Sequence, residues 1–410
     1  MSSNTNTYDG FLPSLPWHAK AVLSLLKNIQ VGQLQVISPE GQCLTFKGAH
    51  AGIDATIQIH DWEVCRACLK SGDIGFAESY IKGHCDSPDL LALLRLLLAN
   101  RQEIETIIYG NWWGRLGYRI KHWFNKNTKA GSKKNIHAHY DIGNAFYSLW
   151  LDPSMTYSSA CFESKDTPLV EAQIAKYQKI IESLTVARGE KILEVGCGWG
   201  GLMEQACLAG IDIDCLTISE EQAKYARERG ERIQANASGR QQILLQDYRD
   251  HQEQYDGIAS IEMFEAVGES YWPSYFEMIK RCLKPGKKAC IQTIVIADDL
   301  FEKYRNSSDF IQQYVFPGGM LPSEEKFKEA AAKQGLVTES VYRFGQDYQK
   351  TLVLWHEKFN QQLEAIKAQG FDQKFIRLWN LYLMYCAAGF ADKSTDVIQF
   401  TLRKPETNGA

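Results

Sequence analysis

Leu193-Glu194-Val195-Gly196-Cys197-Gly198-Trp199-Gly200-Gly201 closes a short apolar run, Lys191–Val195, with a glycine-rich turn and then enters a helical pattern. Glycines at the carboxyl edge of a first strand let the backbone turn tightly and approach a ligand that a side chain would block. Gly196, Gly198 and Gly201 satisfy the dinucleotide-binding spacing, but that spacing alone is a weak signal. Two neighbours point elsewhere: the acid Glu194 stands ahead of the first glycine, and the next strand ends in Thr217 instead of the carboxylate that grips a dinucleotide ribose. Outward from this turn, Ile213–Thr217, Gln242–Gln246, Gly257–Ile261 and Lys288–Ile294 read as strands with helices between them, and Val397–Leu402 as a late closing strand. This alternation predicts an α/β fold built on a parallel, doubly wound, Rossmann-like sheet. A long aromatic-rich stretch from about Ala297 to Asp396 separates the last two strands and is expected to be mostly helical and to enclose a substrate.

An acid-x-Gly-x-Gly turn of this kind points to S-adenosylmethionine as the cofactor. Ser219-Glu220-Glu221-Gln222 opens the following helix, and serine three residues before glutamine is also a capping box, so Gln222 either caps or reaches a ribose. After the third strand, Asp247-Tyr248-Arg249-Asp250 offers an acceptor for an adenine amino group beside an aromatic wall; the alternative is a turn with a solvated charge pair.

The 410 residues are 45% hydrophobic and 23% charged, which excludes disorder and collagen-like structure. With 45 basic against 49 acidic residues and a net charge of −4, nucleic acid is not an expected partner. Eleven cysteines, an odd number in a chain whose polar N-terminus carries no secretory signal, read as reduced cytosolic thiols. Cys65 and Cys68 lack a second pair at zinc-ribbon spacing, and His137 and His139 lack a convergent acid, so no metal is assigned. The longest apolar run, Leu90 to Ala99, is ten residues interrupted by Arg95. A spanning helix needs about 20 residues, so membrane contact is expected to be peripheral. Ser87-Pro88-Asp89 predicts a cap, a first-position proline and a first-turn acid for a helix over 90–100.

One segment departs from the near-neutral balance. Between residues 111 and 134, Arg115, Arg119, Lys121, Lys126, Lys129, Lys133 and Lys134 occur with no acid, while Trp112, Trp113, Leu116, Ile120, Trp123 and Phe124 recur at three- and four-residue steps. That is the composition of an interfacial helix facing anionic lipid, or of a linker helix docked on the next domain with its lysines solvated.

Taken in order, Glu194 to Gly201, Leu216-Thr217-Ile218-Ser219, Asp247-Tyr248-Arg249, Met263-Phe264-Glu265, Phe316-Pro317-Gly318-Gly319, Leu321-Pro322-Ser323 and the upstream His139-Tyr140-Asp141 resemble the cyclopropane-fatty-acyl-phospholipid synthase family. The resemblance covers residues 136 to 402, and Gly72 to Tyr80 resembles the N-terminal domain of longer members. It implies an N-terminal lipid-handling domain over 1–105, the aromatic and basic connector over 106–135 and a class I methyltransferase domain over 136–410. The implied activity is methyl or methylene transfer from S-adenosylmethionine to the double bond of an unsaturated phospholipid acyl chain, giving a cyclopropane or a methylene- or methyl-branched product. A small-molecule methyltransferase and a catalytically silent lipid-binding protein remain as other classes. The implied setting is the cytoplasmic side of the inner membrane, and a homodimer stays open.

In such proteins a bound bicarbonate removes the proton, held among a backbone amide, a glutamate, a histidine and a tyrosine. Carried onto this sequence, these become Ser159, Glu265, Gln292 and Tyr348, with Ile294 beside them. Gln292 in place of the histidine, Ser159 in place of a cysteine and Ala266 in place of a second histidine are departures, and the glutamine and alanine resemble a recognised branch. Tyr157, Ser158, Glu194, Gly196, Gly198, Gly200, Thr217, Ile218, Gln222, Asp247 and Tyr248 are the implied cofactor-binding residues.

Overall fold

A computed structural model describes residues 14–104 and 142–406. The connector, with its tryptophans and cations, and His137, His139, Tyr140 and Asp141 lie outside the described residues. The chain divides into two compact units that are not continuous in sequence. One contains the described residues before 105 with Asn306–Val315 and Gly370–Asp392; the other contains the described residues from 142 to Arg305, with Phe316–Gln369 and from Lys393 onward. The long insertion therefore contributes to both, which a linear division at residue 136 does not capture.

In the first unit, α1 (Trp17–Leu26) precedes β1 (Val31–Ile37), β2 (Cys43–Lys47) and β3 (His50–Ile59), followed by α2 (Glu63–Lys82), the short β4 (Cys85–Asp86) and α3 (Leu90–Ala99). The sheet order is β2-β1-β3-β4. The cap of α3 is Asp89, whose carboxylate accepts from Ala92 N at 2.8 Å; Ser87, expected as the cap, donates its hydroxyl to Thr56 O instead. At the other end of α3, buried Asn100 accepts from Gln30 N and Val31 N and donates to Val31 O, tying the helix to β1. Gly72 breaks α2 with φ +60°, and the next residue, Asp73, accepts from Phe310 N at 3.3 Å and from the Tyr385 hydroxyl at 2.9 Å. The Gly72–Tyr80 motif is thus where the insertion's helices attach.

The second unit opens with α4 (Asn144–Trp150) and α5 (Leu169–Leu184). It then alternates: β5 (Lys191–Val195), α6 (Gly201–Leu208), β6 (Asp212–Thr217), α7 (Glu220–Ile233), β7 (Gln241–Leu245), β8 (Tyr255–Ile261), α8 (Trp272–Cys282) and β9 (Leu283–Ile296). Next come α9 (Asp298–Arg305), α10 (Phe310–Tyr314, part of the first unit), α11 (Glu324–Lys333), β10 (Val337–Arg343), α12 (Gly345–Gln361), α13 (Leu363–Ala368), α14 (Gln373–Asp392, also in the first unit) and β11 (Thr395–Arg403). The strand order is β10-β11-β9-β8-β5-β6-β7. The strands from β5 to β9 are parallel, as expected, while β11 is antiparallel to both β9 and β10, so the sheet is mixed. A parallel sheet covered by helices on both faces needs near-continuous apolar strands, and Ile192, Leu193, Val195, Ile258, Ala259, Ala289 and Ile291 are all buried. Strand order reverses between β5 and β8, and the crevice outside the carboxyl ends of strands at such a switch point is where open α/β sheets bind ligands.

Candidate active site

The glycine turn leaves β5 at this switch point. Gly196 N and Cys197 N donate to Leu216 O, fixing the turn beside the end of β6. Gly198 has φ +49°, and a Cβ added there would meet nothing within 4 Å, so the turn presents open backbone. A Cβ on Gly196 would instead come within 2.9 Å of Met263 Cγ, so the turn and the residues following β8 are in contact range.

Glu194 is buried, with the Cys215 thiol 3.6 Å from Oε2, and burial pushes its carboxyl up to about 8. Thr217 closes β6 and donates its hydroxyl to Gln222 Oε1 at 3.1 Å, with Ile218 following it. Ser219 caps α7 by accepting from Gln222 N, but the glutamine side chain turns to Thr217 and does not complete the capping box. Beyond β7, both oxygens of Asp247 are engaged by the Arg249 guanidinium, at 2.8 and 2.6 Å, and Oδ1 also accepts from Arg249 N. This is a charge-paired turn, but its two side chains are largely buried and not solvated as the alternative had it. Tyr248 packs edge-on against Tyr275. Glu194, the open turn at Gly198 and Thr217 together fit an S-adenosyl ligand: an acceptor for ribose hydroxyls beside backbone that a side chain does not block.

The expected catalytic residues converge, but on a residue not foreseen. Glu262 Oε1 accepts from Ser159 N at 2.9 Å and from Gln292 Nε2 at 2.8 Å, and Oε2 accepts from the Tyr348 hydroxyl at 2.6 Å. The donors come from the loop after α4, from β9 and from α12. Gln292 is oriented by its neighbour across the sheet, because Gln399 Nε2 on β11 donates to Gln292 Oε1 at 3.1 Å and leaves the Gln292 amide nitrogen to face Glu262. Ser159 acts through its backbone; its hydroxyl donates to Ala160 O. Ser158 accepts at its hydroxyl from the buried Lys176 ammonium at 2.6 Å. Burial lowers Lys176 to about 7, opposed first by the attraction of Glu262.

Glu265 follows one turn later. Its Oε1 accepts from Ile294 N, and its Oε2 is buried with no hydrogen-bond partner among the described residues. Burial, and then the neighbouring Glu262 charge, push its carboxyl up to about 8. Between the two acids, Phe264 is fully buried against Trp272, Tyr275, Phe276 and Phe327, which anchors the turn that carries them. Tyr157 faces the rings of Tyr147, Trp150 and Trp355, centroids 5.3 to 5.7 Å away, and Tyr348 meets Trp355 edge-on.

The donor set that the resemblance gives to bicarbonate is thus taken by a protein carboxylate: the Ser159 amide, the Gln292 amide and the Tyr348 hydroxyl all point at Glu262. The residues present do not fit an added bicarbonate at these donors. The one signal in the sequence was a second acid three residues before Glu265 at the carboxyl end of a strand.

A family model described as mycolic acid cyclopropane synthetase matches residues 127–400. The chain belongs to the mycolic acid cyclopropane synthetase family. It is 35% identical to the tuberculostearic acid methyltransferase of Mycobacterium tuberculosis, over 83% of this chain and 81% of that protein. It is 33% identical to the cyclopropane-fatty-acyl-phospholipid synthase of Escherichia coli, over 87% and 89%. Among solved structures, the mycolic acid cyclopropane synthase CmaA1 complexed with SAH and CTAB is 31% identical, with a TM-score of 0.62, over 66% of this chain and 98% of that one. Coclaurine N-methyltransferase, at 19% identity and a TM-score of 0.61, shares the fold. This member of the cyclopropane synthetase family is an S-adenosylmethionine-dependent methyltransferase with a class I fold. Among its described residues, no helix is long and apolar enough to cross a membrane.

Proposed function

We propose that the chain transfers a one-carbon unit from S-adenosylmethionine to the double bond of an unsaturated acyl chain on a membrane phospholipid, with a cyclopropane as product. The observation that carries this reading is the meeting, at one switch point, of an open glycine turn with two carboxyls and a wall of aromatic faces. When bound, the cofactor supplies an electrophilic methyl group carried on a sulfonium. An alkene is a poor nucleophile, and attack leaves positive charge on the acyl chain. Tyr157, Tyr348 and Trp355 offer π faces and a dry wall to that charge. Glu194 serves as acceptor for ribose hydroxyls, Thr217 and Gln222 hold the turn after β6, and Asp247 and Tyr248 flank the adenine. The Ile294 amide holds Glu265, while Ser159, Gln292 and Tyr348 fix the Glu262 carboxylate.

A methylene- or methyl-branched product is the second reading, favoured by the first relative above, which is named a methyltransferase and not a ring-forming synthase. The N-terminal unit is assigned to lipid handling and the connector to peripheral contact with the inner face of the cytoplasmic membrane. Incubation with labelled S-adenosylmethionine and vesicles of a defined monounsaturated phospholipid tests the reading. Label in the acyl chain, with proton NMR separating ring from methylene, supports it; label only in free amines or hydroxy compounds, or none, refutes it.

A further inference from the structure

We propose that Glu262 is the general base of this reaction, a carboxylate built into the chain where relatives by resemblance hold bicarbonate, so that turnover needs no bicarbonate. The inference rests on the lipid-methylation reading and names the proton acceptor within it.

Three observations carry it. The first is acceptor arithmetic: an ionised carboxylate has about four lone-pair sites. Donors from Ser159 and Gln292 take two on Oε1, and Tyr348 takes one on Oε2. One site on Oε2 is left for a substrate proton. The second is backbone: Glu262 holds φ +49°, a left-handed conformation that is unfavourable for a non-glycine residue. The residue is held there at the end of β8, adjacent to Met263, which stands against the glycine turn. The third is charge: burial raises the Glu262 carboxyl, but Tyr348, Lys176, Ser159 and Gln292 all favour its ionised form. Glu265, which has one backbone donor and a buried oxygen without a partner among the described residues, is the acid that keeps its proton.

The chemistry balances with no further reactant. The π pair of the acyl double bond forms the new carbon–carbon bond to the methyl, and the sulfur–carbon pair leaves with sulfur as a neutral thioether. The neighbouring acyl carbon is left cationic. Oε2 of Glu262 takes one proton, and the C–H pair returns to carbon. It closes a ring if the proton comes from the incoming methyl, or forms a double bond if it comes from the chain. Glu262, now neutral, releases its proton to water when the product leaves.

The test uses the full chain with unsaturated phospholipid vesicles in buffer scrubbed of carbon dioxide. Wild-type turnover is expected to be unchanged by added bicarbonate. Glu262→Gln should lose about 10²–10⁴-fold in turnover, with S-adenosylhomocysteine affinity retained. Glu262→Gly, which suits the left-handed backbone, should be silent in scrubbed buffer and regain turnover with bicarbonate or formate. Wild-type turnover that collapses on scrubbing and returns with bicarbonate overturns the proposal while leaving the lipid reading intact, as does full turnover in Glu262→Gln. If no unsaturated lipid is labelled under any condition, the lipid reading fails, and anion occupancy still decides this one. Labelled bicarbonate should show carbon-13 line broadening with Glu262→Gly and none with wild type; equal broadening overturns it.

Discussion

Gln292 has no proton to exchange near neutral pH, and its contribution is a donor aimed by Gln399. Gln399→Leu removes that aim and lets the amide turn its oxygen toward the Glu262 carboxylate. We expect turnover to fall about five- to tenfold, the worth of one to one and a half kcal/mol of hydrogen bonding, with KM for lipid unchanged in steady-state assays. Tyr348→Phe removes the donor on Glu262 Oε2. Losing a donor to the charged form raises a carboxyl's pKa, so the acidic limb of the kcat profile should move to higher pH; an unmoved limb argues against Glu262 as the titrating base. Glu265, held protonated up to about 8, is mimicked by an amide, so Glu265→Gln should cost less than about tenfold, far less than Glu262→Gln. Ser159, Glu265, Gln292 and Tyr348 were legible because each sits in a motif. Glu262 was not, since an acid after a buried strand reads as an ordinary strand end until three donors are seen to converge on it.

At the scale of elements, the strands of the catalytic sheet were legible from their apolar runs, because burial on both faces leaves no polar alternation to blur them. β10 was missed for the opposite reason: Val337–Arg343 is an edge strand with most of its residues exposed, and nothing in Val-Thr-Glu-Ser-Val-Tyr-Arg separates it from loop. The break at Gly72 was equally hidden, yet it sets Asp73 under α10 and α14. Burial pushes Asp73 up to about 6, against 3.8 for an unperturbed carboxyl. A raised folded-state pKa favours the fold most below the unfolded value, and that gain is lost as pH rises toward about 6. Asp73→Asn should therefore flatten the fall in unfolding free energy between about pH 4 and pH 6, a difference of about 1–3 kcal/mol measurable by urea titration at each pH. An unchanged slope would show that Asp73 titrates normally.

At the scale of the whole molecule, the balance of 45 basic and 49 acidic residues conceals a segment that carries seven cations and no acid between residues 111 and 134. Its three tryptophans lie outside the described residues, so its role is argued from sequence. Under the proposed function the acceptor is an acyl chain presented at a bilayer surface, and this segment is the proposed hold on that surface. Basic groups near anionic lipid contribute about 1 kcal/mol each, and interfacial tryptophans add a term that salt does not screen. Replacing Trp112, Trp113 and Trp123 together by alanine should thus weaken sedimentation with anionic vesicles at every ionic strength. Replacing Lys126, Lys129, Lys133 and Lys134 by glutamine should weaken it at low salt and make it less sensitive to added salt, since Arg115, Arg119 and Lys121 remain. In both variants turnover on short-chain, detergent-dispersed lipid should match wild type, because the catalytic residues of the second unit are untouched. Full vesicle binding combined with a lowered Tm in the tryptophan variant would instead identify the segment as a docked linker.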